Sequence, residues 1–105
     1  MHVFQEIVSR EQGPQECRFV IEKSLQTEDI QILKQELLAS AETHAAVHII
    51  IRKLDALELQ ALQWIMAFQR AAQTEGRRVL LELELSKALQ TLVDQSGLAS
   101  KFNWK

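Results

Sequence analysis

Short apolar segments mark strands in four places along this chain, and apolar positions repeat at helical spacing in three others. Residues 2–8 (HVFQEIV) and 17–22 (CRFVIE) are short apolar segments separated by SREQGPQE. Gly13 and Pro14 interrupt any regular element between them, so the two segments read as a hairpin-like pair of strands. TEDIQILKQELLASA follows, with Thr27 as N-cap and Glu28 and Asp29 at the positive end of the helix dipole. Ile30, Leu33, Leu37, Leu38 and Ala41 form one stripe at helical spacing, which predicts an amphipathic helix.

AVHIII (46–51) is largely β-branched and carries apolar residues on both faces, as expected of a central strand covered on both sides or by neighbours. The longest helix is predicted from about residue 56 to 74, ended by Gly76. RRVLLELEL then alternates, with Val79, Leu81, Leu83 and Leu85 on one face and Glu82 and Glu84 on the other. Ser86 can cap a last helix whose Leu89, Leu92 and Val93 face inward, and Gly97 followed by Leu98 fits a left-handed helix terminator with its apolar contact. The order is ββαβαβα. It implies an α/β domain with a small mixed sheet and right-handed crossover helices.

Composition narrows the class. A 105-residue chain with 47% hydrophobic residues can bury one core without disulfide or metal staples, so residues 1–105 are expected to form a single domain. Twelve Lys plus Arg against fourteen Asp plus Glu give a net charge of -2, with no basic footprint for nucleic acid or an anionic membrane. The longest apolar run, AAVHIII, is far short of the ~20 residues that cross a bilayer, and the first residues show no signal-peptide pattern. A soluble, cytoplasmic protein is expected. Cys17 has no partner for an internal disulfide and reads as a small buried thiol.

The strand-to-helix passage at 49–64, IIIRKLDALELQALQW, lies where a sheet of this kind meets its ligands and partners, beyond the C-terminal ends of its parallel strands. From Ile49 onward, IIIRKLDALELQALQWIMAFQRAAQTEGRRVLLELELSKALQTLVDQSGLASKF resembles the core of a STAS domain, the fold of bacterial anti-sigma-factor antagonists, and the likeness extends over about residues 17–102. That family opens the helix with an Asp-Ser/Thr-x-Gly/Ala-Leu segment, onto which Glu58, Leu59, Gln60, Ala61 and Leu62 fall. The resemblance implies a serine or threonine there that a partner kinase phosphorylates. With that position taken as the third of the five, it is Gln60, whose amide hydrogen-bonds but offers no hydroxyl to a phosphoryl group. No phosphoacceptor is therefore expected at the usual place. The implied function is a non-catalytic signalling module that binds a protein partner, an anti-sigma factor kinase or a chemotaxis-type regulator, through Glu58, Leu59, Gln60, Ala61, Gln63, Trp64 and Ala67.

Bland readings of the same residues stand beside this one. Asp55 and Glu58 form a DALE capping box that needs no function, and Gln60 can be a solvated helix residue. The core stripe of the helix is filled by Leu62, Ile65, Met66 and Ala72, which leaves Gln60, Gln63, Trp64 and Ala67 outside or on a flank. An exposed Trp among small neighbours is a typical interface anchor, although aromatics at helical spacing often belong to a core, and Phe68 is the better core candidate.

His44 and His48 are four apart but straddle a helix end and a strand, so no metal site follows. Phe102 and Trp104 are expected to tuck the tail against the sheet or to serve a homodimer contact. No nucleophile–base pair, carboxylate pair or Gly-rich phosphate loop is spelled, the three glycines being scattered at 13, 76 and 97. No enzyme activity, cofactor or metal is expected. Two alternatives remain: a structural accessory subunit similar to the STAS protein of bacterial phospholipid transporters, and a small ligand-binding domain.

Overall fold

A computed structural model describes residues 1–8, 16–43 and 46–97, and its elements follow the expected order. They are β1 (His2–Val8), β2 (Glu16–Leu25), a 3₁₀ turn (Thr27–Asp29), α1 (Ile30–Thr43), β3 (Ala46–Leu57), α2 (Leu59–Thr74), β4 (Arg78–Glu84) and α3 (Lys87–Ser96). The turn holding Gly13 and Pro14, His44, Leu98, Phe102 and Trp104 lie outside the described residues. The four strands form one mixed sheet in the order β1-β2-β3-β4, antiparallel between the first two and parallel thereafter.

Alternation decides which face is covered. Phe19 and Ile21 of β2, Val47, Ile49 and Ile51 of β3, and Val79, Leu81 and Leu83 of β4 share one parity and join one core cluster. That cluster also takes Leu33, Leu37 and Ala41 from α1, Ala61, Leu62, Ile65, Met66 and Ala72 from α2, and Val93 from α3, so all three helices pack on the same face. Each fully buried aliphatic side chain there contributes about 1.5–3 kcal/mol of hydrophobic stabilisation. The residues between them point the other way: Val20 and Ile50 are buried there, Phe4 and Leu80 are exposed, and an Arg52–Glu22 ion pair at 2.8 Å flanks them. Bonding to Arg52 holds the Glu22 carboxyl below the usual carboxylate range.

Three expectations need correction. Leu38 and Leu92 are 43% and 38% exposed, because the helical stripes that meet the sheet are narrower than the apolar stripes in the sequence. Thr27 does not cap α1. Gln26 precedes a 3₁₀ turn, and the Asp29 carboxylate accepts the Gln26 N–H at 2.9 Å, which satisfies a donor that a helix start leaves orphaned. Finally, β3 runs six residues past the predicted 46–51 segment, to Leu57, so α2 begins at Leu59 rather than near residue 56.

The cause of that last shift is pairing. From Ile21↔Ile51 to Leu25↔Leu57, β2 advances four residues while β3 advances six, with register shifts on either side of Lys23. Lys23 (φ 75°) and Lys53 (φ 53°) take left-handed backbone conformations in this irregular stretch. Such a conformation costs a residue with a Cβ roughly 1–2 kcal/mol, and the continued ladder with β2 offsets it. At the far end of the sheet, the Gln69 and Gln73 side-chain amides of α2 both donate to the Val79 carbonyl, at 3.0 and 3.2 Å. Ser86 caps α3 by accepting the Leu89 N–H at 3.3 Å, and Gly97 ends it with φ 82°, as expected.

Candidate functional site

The parallel strands β2 and β3 end side by side, and the two chains leaving them meet at Glu58. Its N–H donates to the Leu25 carbonyl at 2.8 Å, extending the ladder by one bond beyond Leu57. With extended backbone (φ -96°, ψ 126°), Glu58 is the N-cap of α2, and its carbonyl takes the Ala61 and Leu62 N–H groups at 3.1 and 3.4 Å. Its side chain does not cap that helix. Instead the carboxylate crosses to the start of the α1 segment, where Oε1 accepts the Thr27 N–H and Oε2 the Thr27 hydroxyl, each at 3.2 Å. The expected DALE capping box is therefore absent: Asp55 is an exposed residue of β3, and Glu58 caps the neighbouring junction.

Gln60, the second residue of α2, is exposed, and its Oε1 lies 3.4 Å from Thr27 Oγ1. One hydroxyl proton serves one acceptor, and the charged, nearer Glu58 carboxylate takes it. Gln63 and Ala67 are exposed along the same helix. Trp64 is half-buried against the core and stacks on Phe68, with ring centroids 5.8 Å apart and planes at 17°. Phe68 is half-buried as well, so the two aromatics share the flank instead of dividing into core and surface.

Not every expected contact residue faces solvent. Ala61 is wholly buried in the core cluster and cannot present its side chain to a partner, because it lies one helical turn before Ile65 on the stripe that faces the sheet. Leu59 is half-buried and packs on the same core. Laid strictly on the five-residue pattern, the Ser/Thr position is the second, Leu59, not Gln60. Neither residue has a hydroxyl, so the chemical consequence is the same. Thr27 was expected only as a helix cap. Its link to Glu58, 31 residues away, has no local signal and follows only once Leu25 is paired with Leu57.

The other reactive groups are spread out. Cys17 is fully buried with its Sγ 3.9 Å from Ser40 Oγ; burial pushes its thiol pKa up, and the Ser40 hydrogen bond opposes this. His48 Nδ1 lies 4.0 Å from Glu16 Oε1. Among the described residues, no three His, Cys, Asp or Glu side chains converge in a way that could hold a metal ion, and no helix is long and apolar enough to cross a membrane.

No family model and no curated protein matches this sequence. Among solved structures, it is similar to the anti-sigma factor antagonist SpoIIAA in its unphosphorylated form, with a TM-score of 0.68 over 99% of this chain and 88% of that one. Identity is 15%, so the likeness is one of fold. The four-stranded mixed sheet and its three helices are those of the STAS fold, which this chain therefore has.

Proposed function

We propose that this chain is a non-catalytic regulatory module of the STAS type that docks on a protein partner through the opening turn and outer face of α2. Glu58, Gln60, Gln63 and Ala67 supply the exposed surface, and Trp64, backed by Phe68, supplies an amphipathic anchor whose apolar body is already ordered. Leu59 shapes the surface from beneath. The partner class suggested by the likeness to an anti-sigma factor antagonist is an anti-sigma factor of the kinase type or a chemotaxis-type regulator acting in the cytoplasm. Docking is constitutive with respect to residues 59–62, which carry no hydroxyl, so control lies elsewhere.

The observation that carries this reading is the exposure of Gln60 in the first turn of α2, at the rim where β2 and β3 end. A Gln60→Arg/Gln63→Arg/Ala67→Arg chain tests it, because all three side chains face solvent and surface changes leave stability within about 0.5 kcal/mol each. The triple variant keeps its melting temperature and loses the partner held by the unaltered chain. Equal retention of that partner would remove the proposed surface.

A further inference from the structure

β1 is an outer strand of the sheet, and among the described residues only β2 pairs with it. The pairs from His2↔Glu22 to Val8↔Glu16 run without a bulge, and the strand HVFQEIV contains no Lys, Arg or Pro. Those are devices that ordinarily shield an edge from a second chain. β1 is also uncovered on both faces: Phe4 is 50% exposed on the side away from the helices, and Ile7 is 56% exposed on the helix side. The His2 ring meets Phe4 edge-on, with centroids 6.1 Å apart, and so helps to hold it in place.

We propose that β1 pairs antiparallel with β1 of a second copy of this chain, centred on Phe4, and joins the two sheets into one. The two-fold axis of such a pair is normal to the sheet and keeps the helices of both copies on one side, so residues of like parity stand opposite each other. Centred on Phe4, it sets the two Phe4 rings together, His2 opposite Glu6 of the second copy, and Ile7 opposite Met1 of the second copy. Every row across the open face then continues through the seam. Ile50, Val20 and Phe4 of one copy meet Phe4, Val20 and Ile50 of the other in an apolar row. In the rows flanking it, Arg52, Glu22 and His2 of one copy meet Glu6 and Arg18 of the other, so each carboxylate lies between two basic side chains. Other centres match less well. On Val3 the ladder ends before Glu6 and Ile7, on Gln5 it sets Phe4 against the Glu6 carboxylate, and on Glu6 it opposes two like charges. Because α2 packs on β4 at the other edge, the pairing leaves the outer face of α2 uncovered in both copies.

Sedimentation velocity over a dilution series tests the pairing. The unaltered chain is a dimer that dissociates on dilution. Phe4→Lys places two like charges at the axis, and Glu6→Lys sets a cation against His2. Each raises the dissociation constant at least tenfold and keeps a cooperative melt, because both positions face solvent. A chain that stays monomeric throughout overturns the proposal and leaves the edge to a strand of some other protein; a dimer indifferent to both substitutions overturns it as well. Cross-linking reads the register. Two side chains opposed across a strand pair have Cβ atoms about 4.5–5.5 Å apart, so Phe4→Cys forms a disulfide-linked dimer on oxidation, and Gln5→Cys, which stands opposite Val3, does not. Cys17 is buried and does not compete. Cross-linking at position 5 in place of position 4 overturns the register and the proposal with it.

Discussion

The two junctions at the rim of the sheet solve one problem in opposite ways. Leaving β2, the chain makes a 3₁₀ turn, and its donors are taken by its own Asp29 and by a carboxylate from another segment. Leaving β3, the chain passes straight into α2, and its one well-placed carboxylate is turned away from the helix it begins. A helix cap is usually sought within four residues of the helix start. Here it is supplied across two parallel strands, so the β2–α1 junction is tied down while the start of α2 has no side-chain cap.

The largest test of this contrast is in the side chains beneath it. Leu25 is fully buried at the end of β2, whereas its strand partner Leu57 is half-buried. Leu25→Ala should cost about 2–5 kcal/mol in urea unfolding and Leu57→Ala roughly 1–2. Equal losses would mean the two junctions are equally consolidated. Trp64→Ala should cost roughly 1–3 kcal/mol, because the indole packs on the core as well as facing outward, and a loss below 0.5 would place it wholly on the surface.

The cap itself comes next. Glu58→Ala should cost about 1 kcal/mol and Asp55→Ala less than about 0.5, the reverse of what the DALE pattern alone leads one to expect. Lys53→Gly should stabilise by about 0.5 kcal/mol, the relief of the left-handed backbone being partly cancelled by a more flexible unfolded chain.

The smallest effect is on pH. The Glu22 carboxyl, bonded to Arg52, titrates below its unfolded value. Its contribution to stability is complete above the ordinary carboxylate range and disappears as pH falls through the lower folded value. Arg52→Gln should therefore flatten the acid side of the stability profile and leave the neutral side parallel to the original. An unchanged acid limb would show that the pair is not coupled to folding.

Element order was legible because strand and helix periodicities differ along this sequence and because Ser86 and Gly97 mark the last helix at both ends. The end of β3 was not. After Ile51 the local pattern RKLDALE reads as a turn and a cap, and pairing of Leu54, Ala56 and Leu57 with Lys23, Ser24 and Leu25 holds it extended. Two lysines occupy the left-handed positions where glycine would have advertised an irregular strand. Ala61 falls on the buried stripe of α2 with Ile65 and Ala72, while Gln60, Gln63 and Ala67 have the exposure their spacing implied. Thr27 reads in the sequence only as a helix cap, because its partners are 31 and 33 residues distant.

The pair of glutamine amides on Val79 bears on how this molecule avoids its neighbours. A carbonyl oxygen has two lone pairs, and at Val79 both are occupied from within the chain. A strand from a second molecule adding alongside β4 would have to evict two donors before gaining one bond at that rung. Fibre-like growth from that end of the sheet is thereby discouraged without a proline or an inward-pointing charge, and replacing both glutamines by leucine should lower the concentration at which the protein precipitates.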